Sequence, residues 1–123
     1  MEIMKISTFI RKILDNEDYR AKKEFAYDNY YMFKGKDNTI SEQLFLEFIK
    51  AIQKDEALLS IYRDLNEDLL IKNNLTDKVF NELVKMSKKS KYRWNFIYLC
   101  HADLIDSQRK YLESLNLNDA YWY

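Results

Sequence analysis

Apolar residues recur along this chain at the spacing of helical faces, in six separate runs. The densest run lies in residues 90–116, SKYRWNFIYLCHADLIDSQRKYLESLN. Trp94, Ile97, Tyr98, Ile105, Leu112 and Leu115 fall on one line there, together with His101 and Gln108. The spacing predicts one helix over 90–116, nearly 40 Å long at about 1.5 Å per residue. Ser90 is placed to cap its first turn, and Asn116 and Asn118 tolerate a left-handed end. Phe96, Leu99 and Cys100 fill the other faces of its first half, a pattern that calls for enclosure by neighbouring helices. The second half, 106–113, has one narrow apolar stripe and belongs at the surface. Trp94, Ile97 and Tyr98 are therefore expected to be largely buried against the first, third and fifth helices. On that reading Trp94→Ala costs about 3–5 kcal/mol.

The other runs are read in the same way. A first helix is expected over 3–14, with Ile6, Phe9, Ile10 and Ile13 on one face. A second is expected over 17–33, with a stripe of Tyr19, Ala26, Tyr30 and Phe33, ending at Gly35, the chain's one glycine, in a left-handed cap. Thr39 and Glu42 form a T-x-x-E capping box for a third helix carrying Leu44, Phe45, Phe48, Ile49 and Ile52. Asp55 caps a fourth, with Leu58, Ile61, Tyr62, Leu65 and Leu69, which Asn73-Asn74 ends. Thr76 caps a fifth, with Val79, Phe80, Leu83 and Val84. The fold class expected is all-α, a single domain over 1–123: a compact bundle of five to six antiparallel helices.

One alternative is three helical-hairpin repeats of about 35 residues. An offset of 35 lays Ser41 on Thr76, Leu44 on Val79, Phe45 on Phe80, Phe48 on Leu83 and Ile49 on Val84. The same offset lays Phe9, Ile10, Ile13 and Leu14 on Leu44, Phe45, Phe48 and Ile49. Tetratricopeptide repeats have a period of about 34, but their glycine and proline positions are not filled here. Amphipathic helices with apolar pairs at i, i+1, i+4 and i+5 also align by chance, so the unrepeated bundle is the favoured reading.

Composition supports helix. Proline is absent and glycine occurs once, which removes the residues that β-turns lean on. One Cys cannot form an internal disulfide framework and suits a reducing compartment. The start, MEIMKISTFIRKIL, has no apolar run of signal-peptide length. No stretch approaches the roughly 20 apolar residues of a membrane span. A cytoplasmic protein without membrane contact is the expectation.

Little catalytic chemistry is offered. With one His and one Cys, zinc sites built from those residues are ruled out. No Glu lies three before His101, as a di-iron helix requires. Cys100 and His101 point about 100° apart on a helix and form no nucleophile–base pair; His101 is expected at the core edge, hydrogen-bonded through one nitrogen. One glycine cannot build a phosphate-binding loop. Asp103 and Asp106 share a face and read as solvated charges. No catalytic, metal or cofactor site is assigned, and a non-enzyme is expected.

Twenty basic and twenty acidic residues leave a net charge of zero, against the basic excess usual in nucleic-acid binders. The sharpest charge feature is Lys85, Lys88, Lys89, Lys91 and Arg93 at a helix–helix turn. A DNA-reading helix-turn-helix needs a polar second helix, whereas Trp94-Asn95-Phe96-Ile97-Tyr98 calls for a core. Ten tyrosines and 15% aromatic residues suit either a packed core or a binding surface. By elimination the chain reads as a small protein that docks to a partner macromolecule, of inhibitor, immunity, antitoxin or adaptor type. The alternative is a helical subunit of a nucleoprotein complex touching phosphates through the 85–93 turn. The candidate partner-binding residues are Tyr27, Tyr31, Lys88, Lys89, Lys91, Tyr121, Trp122 and Tyr123.

Overall fold

The computed structural model describes residues 5–15, 39–66, 69–70 and 75–115. The helix expected over 17–33, the Gly35 cap, the Asn73-Asn74 break, and Tyr27, Tyr31, Tyr121, Trp122 and Tyr123 lie outside the described residues. Within them every regular element is helical: α1 (Ile6–Asp15), α2 (Glu42–Ile52), α3 (Glu56–Asn66), α4 (Asp77–Ser87), a 3₁₀ turn (Ser90–Tyr92), α5 (Asn95–Cys100) and α6 (Asp106–Ser114). The all-α bundle read from the sequence is the fold.

α2 is its centre and packs against α1, α3 and α4. Leu44, Phe45, Phe48, Ile49 and Ile52 are buried, as the i, i+3, i+4 spacing requires of a helix with neighbours on three sides. α1 contributes Ile6, Phe9, Ile10 and Ile13, none of them exposed. One continuous core joins these to Leu58, Ile61, Tyr62 and Leu65 of α3, to Val79, Phe80, Leu83 and Val84 of α4, and to Phe96, Leu99 and Leu112.

The caps explain where helices start. Asp55 Oδ1 accepts from the Ala57 N–H at 2.9 Å, and Thr76 Oγ1 from the Val79 N–H at 3.3 Å. The third start differs from the expected Thr39–Glu42 box. Ser41 is the N-cap, its Oγ accepting from Leu44 N–H at 3.2 Å. Ser41→Ala and Thr76→Ala are each expected to lower stability by about 1 kcal/mol, read as a drop in urea midpoint at unchanged slope.

The 35-residue offset pairs the lengths, caps and buried positions of α2 and α4. Glu42–Ile52 and Asp77–Ser87 have the same length at that spacing and equivalent Ser/Thr caps. Buried positions correspond at Leu44/Val79, Phe45/Phe80, Phe48/Leu83, Ile49/Val84 and Ile52/Ser87. The same offset lays α1 on α2, with Phe9/Leu44, Ile10/Phe45 and Ile13/Phe48 buried in both, but α3 is a continuous helix whereas its counterpart 35 residues on is a 3₁₀ turn followed by the short α5.

That is the main correction to the sequence reading: 90–116 is not one 40 Å helix. Ser90 lies inside the 3₁₀ turn, with Lys89 at its N-cap position and no side-chain cap. After α5 the backbone tightens, His101 N–H bonding Tyr98 O and Ala102 N–H bonding Leu99 O, both at 3.1 Å. Asp103 then turns away and donates its N–H to Leu70 O at 3.1 Å. The carbonyls this frees are taken by Arg109, whose guanidinium bonds Cys100 O at 3.2 Å and Ala102 O at 3.1 Å. Gln108, 3% exposed, stitches the new helix start to α4: its Oε1 accepts from Ile105 N–H, and its Nε2 donates to Leu75 O and Asp77 Oδ1. Tertiary partners thus supply the bonds that helix continuation would have given.

Candidate docking surface

The break changes which face of α5 is buried. Tyr92, Asn95, Phe96 and Leu99 point inward, and Trp94, Ile97 and Tyr98 are only partly buried. The expectation of a buried Trp94–Ile97–Tyr98 face is corrected accordingly. The selecting element is a buried polar relay. Tyr62 O–H donates to Asn95 Oδ1 at 2.7 Å, Asn95 Nδ2 donates to Ser87 Oγ at 2.9 Å, and Ser87 Oγ donates to Leu83 O at 2.7 Å. Each of the three side chains in the relay thus donates to an acceptor, which offsets the cost of enclosing a polar α5 residue. Burial pushes the Tyr62 phenol well above its usual value; the Asn95 bond opposes this and nearby Tyr98 adds to it.

With Asn95 locked inward, Trp94 lies against α3. Its Nε1–H donates to Lys91 O at 3.0 Å. Its ring meets Tyr98 edge-on at 5.5 Å and tilts against Tyr62 at 6.4 Å. The Arg63 guanidinium stands 4.8 Å over the ring, a cation–π geometry. Beside this group Ser60, Arg63, Asp64 and Tyr98 line an open hollow of about 340 Å³. Because Trp94 is partly exposed, Trp94→Ala is expected to cost about 1–3 kcal/mol, less than a fully enclosed aromatic, measurable by chemical denaturation.

The lysine turn adjoins this patch. Lys88, Lys89 and Lys91 are exposed and the fold brings them against the turn after α2. Lys89 Nζ donates to Gln53 Oε1 at 2.8 Å, Tyr92 O–H to Gln53 O at 3.3 Å, and Lys91 Nζ lies 3.6 Å from Glu56. Lys88 Nζ reaches Tyr111 O–H at 3.4 Å and lies 5.9 Å from its ring centre. The C-termini of α2 and α4, with Lys50 and Lys85 in their last turns, place negative dipole ends beneath these cations.

Elsewhere the polar groups are engaged or dispersed. A cleft of about 260 Å³ between α4 and α6 is lined by Asp77, Phe80, Asn81, Ser107, Gln108 and Tyr111, and Gln108 is committed to its structural bonds. The Cys100 thiol is raised by burial, with Arg109 opposing. His101 is exposed, not at the core edge as expected. Among the described residues no group of three or more His, Cys, Asp or Glu is placed to hold a metal. No helix among them is long and apolar enough to cross a membrane.

The sequence reading missed Trp94, Tyr98 and Arg63 as surface residues. The available signal was Asn95: a polar residue between Trp94 and Phe96 marks a choice of face that spacing alone leaves open. No family model, curated protein or solved structure matches this chain.

Proposed function

We propose that the chain is a small helical docking protein, of the inhibitor, immunity, antitoxin or adaptor kind, with no catalysis of its own. The observation that supports this is the Trp94–Tyr98–Arg63 group. Tryptophan, tyrosine and arginine are the residues that most often carry protein–protein binding energy. Here they form one partly exposed patch, held from beneath by the Tyr62–Asn95 relay and bordered by a shallow hollow. A rigid aromatic centre loses little side-chain entropy when a partner covers it.

The test is capture from the native host with cross-linking and nuclease treatment, comparing the natural chain with Tyr98→Ala and Arg63→Ala. Loss of either anchor should weaken capture of one and the same partner by about thirtyfold, which corresponds to roughly 2 kcal/mol. Unchanged circular dichroism would show that the fold is kept. Equal capture by natural and variant chains would sink the assignment of this face. A partner that disappears on nuclease treatment would move the function to the nucleoprotein class.

A further inference from the structure

We propose that the basic surface formed by the turns at 53–56 and 88–91 receives an acidic segment of the partner protein; this rests on the docking reading above. The two turns abut through Lys89–Gln53 and Tyr92–Gln53. Around them stand Lys50, Lys54, Lys85, Lys88, Lys89 and Lys91, all exposed. Of these, Lys91 alone has a carboxylate partner among the described residues, a long contact at 3.6 Å to a Glu56 that is itself 86% exposed. Lys88 and Lys89 are held instead by uncharged groups, a phenol and an amide. A chain with no net charge thus gathers six ammonium groups around turns that carry two carboxylates, Asp55 and Glu56, and the complement of that excess is a set of carboxylates or phosphates.

Two features favour a protein segment over nucleic acid. Single strands are gripped by bases stacking on open aromatic faces beside a basic track. Here each ring bordering the cluster already has a cation over a face: Arg63 on Trp94, Lys88 on Tyr111 and Lys91 on Tyr92. Glu56 also stands within the cluster, where it would repel a continuous phosphate backbone but be bypassed by spaced Asp or Glu side chains. The Trp94 Nε1–H to Lys91 O bond makes the basic and aromatic surfaces continuous, so one partner can cover both.

The experiment titrates the isotope-labelled full chain with an oligoglutamate peptide, and separately with single-stranded and duplex DNA of equal charge, following backbone amide shifts. Oligoglutamate should shift residues 50–56 and 85–92 selectively and bind more tightly than either DNA. Added salt should weaken that binding, and Lys88→Gln with Lys89→Gln should weaken it about tenfold. Tighter DNA binding lost in the same variant would overturn the proposal in favour of a phosphate site. Shifts scattered over the surface, or none, would also overturn it. If the host partner is lost with Tyr98→Ala yet binds the lysine variant normally at any salt, the docking reading stands and this inference alone fails.

Discussion

Replacing Asn95 by Ala is expected to lower stability by about 3–5 kcal/mol, a large share of the 5–15 kcal/mol typical of a domain. Asn95 is fully enclosed and links three helices: it accepts from Tyr62 on α3 and donates to Ser87 on α4. Removing it leaves the Tyr62 hydroxyl, also fully buried, without its acceptor. Stranding a buried polar group costs about 1–3 kcal/mol, and the emptied volume adds a cavity cost. Urea unfolding measures the loss. A double-mutant cycle isolates the bond: Tyr62→Phe should be costly in the natural chain and much cheaper once Asn95 is gone. Strict additivity of the two changes, or a loss below about 1 kcal/mol for Asn95→Ala, would mean the relay does not hold α5 in place.

That relay also marks the limit of what the sequence discloses. Helices α2 and α4 were legible because local signals agree: apolar faces at helical spacing, and caps such as Thr76 directly before them. The stretch 101–105, His-Ala-Asp-Leu-Ile, has no Gly or Pro to announce a break. It is broken by groups distant in sequence, the Leu70 carbonyl, Leu75 and Asp77, together with Arg109 and Gln108 beyond it. Periodicity reads one helix at a time and does not see bonds that compete with helix continuation.

The surface was half legible for the same reason. The lysines at 85–91 stand out as a run, and the fold brings them together. Their contact with Gln53 and Glu56 depends on α2 and α4 ending side by side, which no local pattern states. Trp94 was misplaced because α5 has apolar residues on both faces. The choice between them was made by Asn95 and its partners 33 and 8 residues away. A tryptophan that spacing sends to the core is thereby left partly exposed beside a cationic turn. There it packs on Tyr62 of α3 while part of its ring stays open to solvent.

Alkaline pH should destabilise the protein through the same tyrosine. The unfolded chain releases the Tyr62 proton near its ordinary value of about 10, whereas burial makes the folded chain hold it to higher pH. Above pH 10 the unfolded state therefore binds fewer protons than the folded state. The sign of the linkage follows: this contribution is flat below about pH 10 and stability falls as pH rises beyond it. The slope is at most about 1.4 kcal/mol per pH unit, so roughly 2–3 kcal/mol is lost by pH 12. Tyr62→Phe should start lower at neutral pH, because Asn95 Oδ1 loses its donor, yet decline less steeply above pH 10. The difference between the two chains cancels the titration of residues they share. Urea midpoints taken from pH 8 to pH 12 should converge as the pH rises. Parallel curves would mean that Tyr62 titrates like an exposed tyrosine and is not enclosed by α3, α4 and α5.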